Sequence, residues 1–436
     1  MKKFVIFTLI GAMAAGAVFA ADGVNINAWG RGVFAPLIVK GAPQTAGKVD
    51  KDNYGDDQKA MAYTGIGSTW GGDQVRVDFR IVGNAEYVGF GMNATVENSD
   101  LAGNDDAAYI WAKPFSNDFL KIKIGYLVED ELRGKFGAGN NTFHNFVLPG
   151  ALDEDHIFQR FSSSGGKGWL HSNNGVNGAG FLLSSQPIDP LFIGLMATAA
   201  AALPADASTT AYDAYTYMQI GVGYKIDGIG HVRAQYIGGY VGTYDDDKKD
   251  DIAKNGGDVD KNKNGRIEAA FALTAVEGLL VDLGGKFWLP YNEDKASKSS
   301  KGIEIGLGAR FQMEAFSIGF RFDGDFASYN RGWEKDDSLN GGNLDFRLDP
   351  AYALDFATVG LLFGLHTSVP GKDVNGDGPD DYKAPIQMGF GAYAQKGLGK
   401  GSIKAGLTFT TATITDGKAD GSTYFSIPVV LEYAFF

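Results

Sequence analysis

Apolar and polar residues alternate with a period of two along most of the chain. Val75, Val77, Phe79 and Ile81 alternate with Arg76, Asp78 and Arg80. Beyond the short turn Gly83-Asn84-Ala85, Val88, Phe90, Met92, Ala94 and Val96 share one face, and Gly89, Gly91, Asn93, Thr95 and Glu97 the other. Successive side chains of a strand point to opposite faces, so the two runs predict a hairpin with one apolar side. The unit recurs. Ile122 and Ile124 alternate with Lys121 and Lys123, Val232, Ala234 and Tyr236 with His231, Arg233 and Gln235, and Val281, Leu283 and Phe287 with Asp282 and Lys286. The last run sets Phe425, Ile427, Val429, Leu431, Tyr433 and Phe435 on one face.

Strands are predicted near 24–39, 62–82, 86–97, 107–113, 119–128, 177–185, 190–198, 213–226 and 229–240. They continue near 266–276, 279–290, 302–312, 315–326, 344–353, 357–367, 385–395, 402–411 and 422–436. Connections alternate between short turns, such as Ile226-Asp227-Gly228 and Val276-Glu277-Gly278, and long polar stretches, including 40–61, 129–176, 241–265, 327–343 and 368–384. A soluble β-sandwich also alternates, but short turns at one end opposite long loops at the other are what a membrane barrel requires. The expected fold is all-β: a transmembrane antiparallel up-and-down barrel of about eighteen strands, or sixteen if 107–113 and 119–128 are not strands.

The N-terminus reads differently. Lys2 and Lys3 precede an apolar run from Phe4 to Phe19 that ends in small residues at Ala20 and Ala21. This is the pattern of a signal peptide over 1–20, and the run is shorter than the roughly 20 residues a membrane helix needs. Residues 21–436 then form one barrel. Beyond 20, the best candidate helix span, Leu191 to Leu203, is also too short and is flanked by Pro190 and Pro204.

Composition narrows the function. The net charge of −13 argues against nucleic acid, whose phosphates need a basic surface. The chain has no cysteine, which removes thiolate metal sites and cysteine nucleophiles. The polar alternates include Arg76, Arg80, Lys113, Lys121, Lys123, Arg233, Lys286, Arg310, Arg321, Arg347 and Lys404. Asp78, Glu97, Asp282, Glu304, Asp323, Asp325, Asp345, Asp349 and Glu432 accompany them. Packed into a dry core, each charge would cost several kcal/mol even when paired, whereas an aqueous lumen removes that cost.

Over the whole mature chain this architecture resembles the bacterial outer-membrane porins, and the terminal Phe436 resembles the aromatic residue that the barrel-assembly machinery reads in them. The apolar alternation falls on Phe435, Tyr433 and Leu431, one step out of the family's register. The resemblance implies a non-enzymatic, water-filled channel for passive diffusion of small hydrophilic solutes or ions. It also implies contact with outer-membrane lipid and the assembly machinery, and a homotrimer. The pore-lining candidates are then Arg76, Arg80, Lys121, Lys123, Arg233, Lys286, Arg310, Arg321, Arg347 and Lys404. The long connection 129–176, with Asp130, Glu131, Asp153, Glu154 and Asp155, is either a constriction loop folded into the lumen or an external loop.

Two loops carry calcium-like spacing. Asp373, Asn375, Asp377, Gly378 and Asp381 alternate oxygen ligands around a glycine, and Asp260, Asn262, Asn264, Gly265 and Glu268 do so less fully. Both lack the acidic twelfth ligand, so weak calcium binding and a plain turn stay open, and no other cofactor is expected. Two rival functions remain. One is an adhesin that merely displays its loops. The other is a barrel enzyme similar to outer-membrane phospholipases, suggested by His171 and Ser172, which are adjacent where that family spaces them apart.

Overall fold

A computed structural model describes residues 24–42, 44–45, 48–49, 60–67, 76–97, 100–102, 108–127, 132, 178–198, 218–237, 266–288, 303–326, 340–370 and 384–435. Among these, twenty strands build one closed antiparallel barrel. They are β1 (Val24–Lys40), β2 (Met61–Gly67 and Arg76–Asn84), β3 (Val88–Glu97), β4 (Asp100–Ala102 and Ala108–Ala112) and β5 (Lys121–Leu127). Next come β6 (Gly178–Ile188), β7 (Leu191–Thr198), β8 (Met218–Ile226), β9 (Gly230–Ile237) and β10 (Arg266–Leu273). Then follow β11 (Leu279–Trp288), β12 (Ile303–Met313), β13 (Phe316–Asp325), β14 (Asn340–Ala353) and β15 (Thr358–Pro370). The last are β16 (Ile386–Leu398), β17 (Gly401–Thr410), β18 (Thr413–Thr415), β19 (Lys418–Asp420) and β20 (Tyr424–Ser426 and Val429–Phe435).

From β1 to β17 each strand pairs with its successor, and the ring then passes from β17 directly to β20, while β18 and β19 form a hairpin attached to the sheet through β16. It closes where β20 pairs with β1, Gly30 opposite Tyr433. On its other side β1 holds both pieces of β2, with Val33 opposite Gly67 and Arg31 opposite Arg76. Those pieces are one line of pairing, where the alternation had predicted an unbroken strand at 62–82.

The count of about eighteen falls short because of β18 and β19. Their stretch reads as a connection in the alternation, yet it folds as a hairpin in which Thr413 pairs with Asp420. Asp416 and Gly417 at its tip have φ of 52° and 74°, and two consecutive positive φ angles make the type I′ turn that an Asp-Gly pair favours. The sixteen-strand alternative also fails, since β4 and β5 are both present and Trp111 pairs with Lys123.

Short turns gather at one end. Gly228 and Gly278 sit at the third position of turns closed by Ile229 N–H to Ile226 C=O and Leu279 N–H to Val276 C=O, each 3.0 Å. Their φ values of 71° and 74° are what a type II turn demands of that position. Val24 pairs with Gly83, beside the turn after β2, so β1 begins at this end.

The two faces of the wall differ sharply. On β11 Leu283 and Phe287 are each 49% exposed, whereas Asp282 and Lys286 are 0% and 4% exposed. Since a closed barrel hides only its inside, the charged set faces inward and the apolar set outward. Ile220, Val222, Tyr236, Leu361, Phe390, Leu407 and Leu431 continue the exposed apolar surface over successive strands. Val77, Phe79, Val88, Phe90 and Val429 have the same outward parity. A surface this apolar suits hydrocarbon, where a sheet can persist only if closed so that every backbone group is paired. The architecture is that of a transmembrane β-barrel.

Candidate functional site

The interior wall carries the chain's charged chemistry. On its first quarter the floor is glycine. Gly89 lies opposite Trp111 and Gly91 opposite Tyr109. A Cβ at either glycine would meet the facing ring at 2.6 or 2.4 Å, so each ring lies flat across a bare backbone. Two ammonium groups cover the rings from β5: Lys121 Nζ is 4.4 Å from the Trp111 centroid, and Lys123 Nζ 3.7 Å from that of Tyr109. A cation over a ring face gains about 0.5–2 kcal/mol, more as water is excluded, and this holds both lysines down on the wall. Arg76 and Arg80 stand nearby on β2. Arg76 Nε donates to both oxygens of Asp78 at 3.0 Å, and Asp78 also accepts from the Thr95 hydroxyl.

From β9 to β15 the charges pair with each other. Arg233 Nη2 donates to Asp282 Oδ1 at 2.6 Å across the intervening β10, and both side chains are fully shielded. Gln235 Nε2 donates to Glu268 Oε2 at 2.8 Å, and Lys286 Nζ lies 3.2 Å from Glu304 Oε2. Arg321 bonds Asp323 and Arg347 bonds Asp349, each through Nε to a carboxylate two residues along its own strand. His366 Nδ1 lies 2.7 Å from Asp345 Oδ1.

Strand register turns these pairs into rungs. Arg321 stands directly opposite Arg347, and Asp323 directly opposite Asp345, which in turn faces His366.

Every one of the ten basic pore-lining candidates lies on the inward parity. Arg80 and Arg310 are exposed, Arg76 and Lys121 partly so, and Lys123, Arg233, Lys286, Arg321, Arg347 and Lys404 are buried. Lys113 does not belong with them. It follows Ala112 in the turn after β4 and pairs with Asp118 at 2.7 Å. The alternation led to an open lumen bathing all these charges, and much of the wall instead satisfies them by mutual pairing out of solvent. Leu132, just beyond β5, lies against the inner backbone of Gly194 and Gly221 and packs in an apolar cluster with Leu127, Leu182 and Met196.

Asp130, Glu131, Asp153, Glu154 and Asp155 lie outside the described residues, as do His171 and Ser172. So do Asp373, Asn375, Asp377 and Asp381, and no group of three metal-ligating side chains comes together among the described residues. Sequence reasoning passed over Tyr109, Trp111 and His366. The inward parity of the two aromatics was readable from Gly89 and Gly91 opposite, while Glu268 fell in a predicted strand but was given a role only in the weaker calcium-like spacing.

The chain matches no protein-family model and no curated protein sequence. Solved structures resemble it at low identity. Pseudomonas aeruginosa OccK10 (OpdN) is 9% identical with a TM-score of 0.47, the match covering 95% of this chain and 100% of that one. The anion-selective porin from Comamonas acidovorans is 12% identical with a TM-score of 0.40, covering 94% and 100%. OmpT of Vibrio cholerae, in its trimer form, is 11% identical with a TM-score of 0.41, covering 95% and 100%.

Proposed function

We propose that this chain forms a channel in the bacterial outer membrane through which small hydrophilic solutes and ions diffuse passively. One observation carries the reading: the same strands present large apolar side chains outward and some twenty charged or hydrogen-bonding side chains inward. A barrel that only anchored loops would have no use for an interior of this kind, because burying ion pairs is at best neutral for stability. Lys123, Arg233, Lys286, Arg321, Arg347 and Lys404 are built into the inner wall, and Arg76, Arg80, Lys121 and Arg310 sit where water reaches them and act on a passing ion by their charge. The packing of Leu132 on the inner wall supports a passage narrowed by the connection after β5 rather than a wide tube. The homotrimer, the lipid contacts and the barrel-assembly machinery belong to the same reading.

The test is planar-bilayer recording with the refolded full chain. Discrete conductance steps are expected, and deleting most of 136–170 should enlarge them. A correctly folded barrel that passes no current would instead be a surface-displaying barrel, with its function in its external loops.

A further inference from the structure

Three carboxylates stand close together on the inner faces of β13 and β14, and their partners are not alike. Asp323 is bonded by Arg321 and Asp349 by Arg347, both through Nε. A guanidinium is charged at every pH the protein meets, so these two pairs are permanent. Asp345 differs. Its partner among the described residues is His366 of β15, with Nδ1 2.7 Å from Oδ1. Histidine is the side chain whose ordinary titration falls between pH 5 and 8, so this third partner carries a counter-charge at one end of that range and none at the other. Register adds a reason for the charge to matter. Asp345 directly faces Asp323, and like charges so placed repel, with Cβ atoms only about 5 Å apart. His366 faces Asp345 from the opposite side.

We infer that His366 is a selectivity-determining residue of the channel, shifting the preference from cations towards anions when it takes up a proton. The inference rests on the channel reading. The other surroundings of the imidazole are uncharged: Gln387 of β16 lies directly opposite it, and Gly364 and Ser368 flank it on the inner face of β15. With His366 neutral, Arg321 and Arg347 leave one of the three carboxylate charges over. With His366 protonated, the group is balanced. The side chain is 13% exposed, so water of the lumen reaches it. Ionised Asp345 can only accept, so Nδ1 carries the hydrogen that it donates and the incoming proton goes to Nε2. The inner wall thereby loses one net negative charge with no movement of the backbone, and a passing ion feels the difference directly.

The experiment compares reversal potentials of the refolded full chain in a potassium chloride gradient at about pH 8 and about pH 5.5, on either side of the ordinary histidine range. The permeability of chloride relative to potassium should rise about threefold on acidification, the size expected of one wall charge felt through water. His366→Gln should keep the alkaline value at both pH values, and His366→Arg should show the acidic value at both. His144, His156, His171 and His231 remain in each variant, so the part of the response that disappears belongs to His366. If either variant fails to fold, the other carries the test, with heat-modifiable gel migration as the check on folding. In detergent, the imidazole Cε1–H resonance that is missing from His366→Gln should move between the same two pH values in the parent chain. A resonance that stays fixed overturns the proposal, as does a rise of the same size in His366→Gln. Current whose selectivity ignores pH would sink the switch and leave the channel reading standing. A folded barrel that passes no current would sink the channel reading, and the selectivity role with it.

Discussion

Arg233 and Asp282 show how single residues are placed. Alternation put both on the inner face, but nothing in the sequence paired them, for they lie 49 residues apart and on strands that are not neighbours. Their contact exists because Ala270 and Ala272 of β10, which face Arg233 and Asp282 in register, leave room for the guanidinium to cross. With both side chains fully shielded, removing one partner strands the other charge. Asp282→Ala should therefore destabilise the folded barrel by about 3–5 kcal/mol, whereas replacing both by apolar residues of similar size should be close to neutral. Reversible urea unfolding in lipid vesicles would measure both. Equal losses in the single and double variants would show that the pair does not act as a unit. The constriction candidates Asp130 to Asp155 were legible only as an acidic stretch, because side-chain chemistry without period two carries no positional information.

Whole strands were read more reliably than their ends. Inward and outward parity held wherever large apolar residues alternated with charge, as in β9 and β11. It failed to anticipate the interruption of β2, where Met61–Gly67 and Arg76–Asn84 are separate pieces of one pairing line. It also missed the β18–β19 hairpin, whose strands of three residues are too short for alternation to register, although Asp416-Gly417 was there to be read. Turn chemistry is the more local signal. Gly228 has φ of 71°, and a Cβ there meets nothing within 4 Å, so its requirement is conformational and not steric. Gly228→Val should cost about 1–2 kcal/mol, the penalty of a left-handed residue with a side chain. Gly228→Asn should cost less, since asparagine tolerates that region. A valine variant as stable as the parent in the same unfolding assay would remove the turn from the argument.

For the molecule as a whole, the contrast between faces sets the energetic scale. Leu283→Arg puts a charge into hydrocarbon and should cost about 2–4 kcal/mol near the midplane, while Ser402→Arg, on the inner face, should cost much less. Folding equilibria into vesicles compare the two, and equal costs would mean that the outward surface is not in lipid. Charge at the rim and charge on the wall also act over different ranges. The stretch from Tyr244 to Asp251 carries five aspartates against two lysines. Placed at the mouth, as the alternation of short turns and long connections predicts for 241–265, such charge acts across a Debye length of about 8 Å at physiological salt but only about 3 Å at 1 M. The channel should thus prefer cations mildly in dilute KCl, and that preference should fade or turn slightly anionic as salt rises. Reversal potentials across a salt gradient test this. A strong anion preference at the lowest salt would show that the basic wall controls entry at every ionic strength.

The seam between β1 and β20 has a temporal meaning as well. Every other junction in the ring joins segments close in sequence, but Gly30 meets Tyr433 only after nearly the whole chain has been laid down. Loop closure over that span costs little extra free energy, since each doubling of length adds only about 0.6 kcal/mol, yet contacts so remote are slow to form. Until they do, β1 is an unpaired edge with a greasy outer side, the state most exposed to sticking to other chains. Sealing is then the committed step of biogenesis, and the absence of native cysteine makes it observable. In a Gly30→Cys, Tyr433→Cys variant, a bond between the two thiols would time-stamp each molecule that has become a cylinder. It should lag behind the appearance of sheet structure.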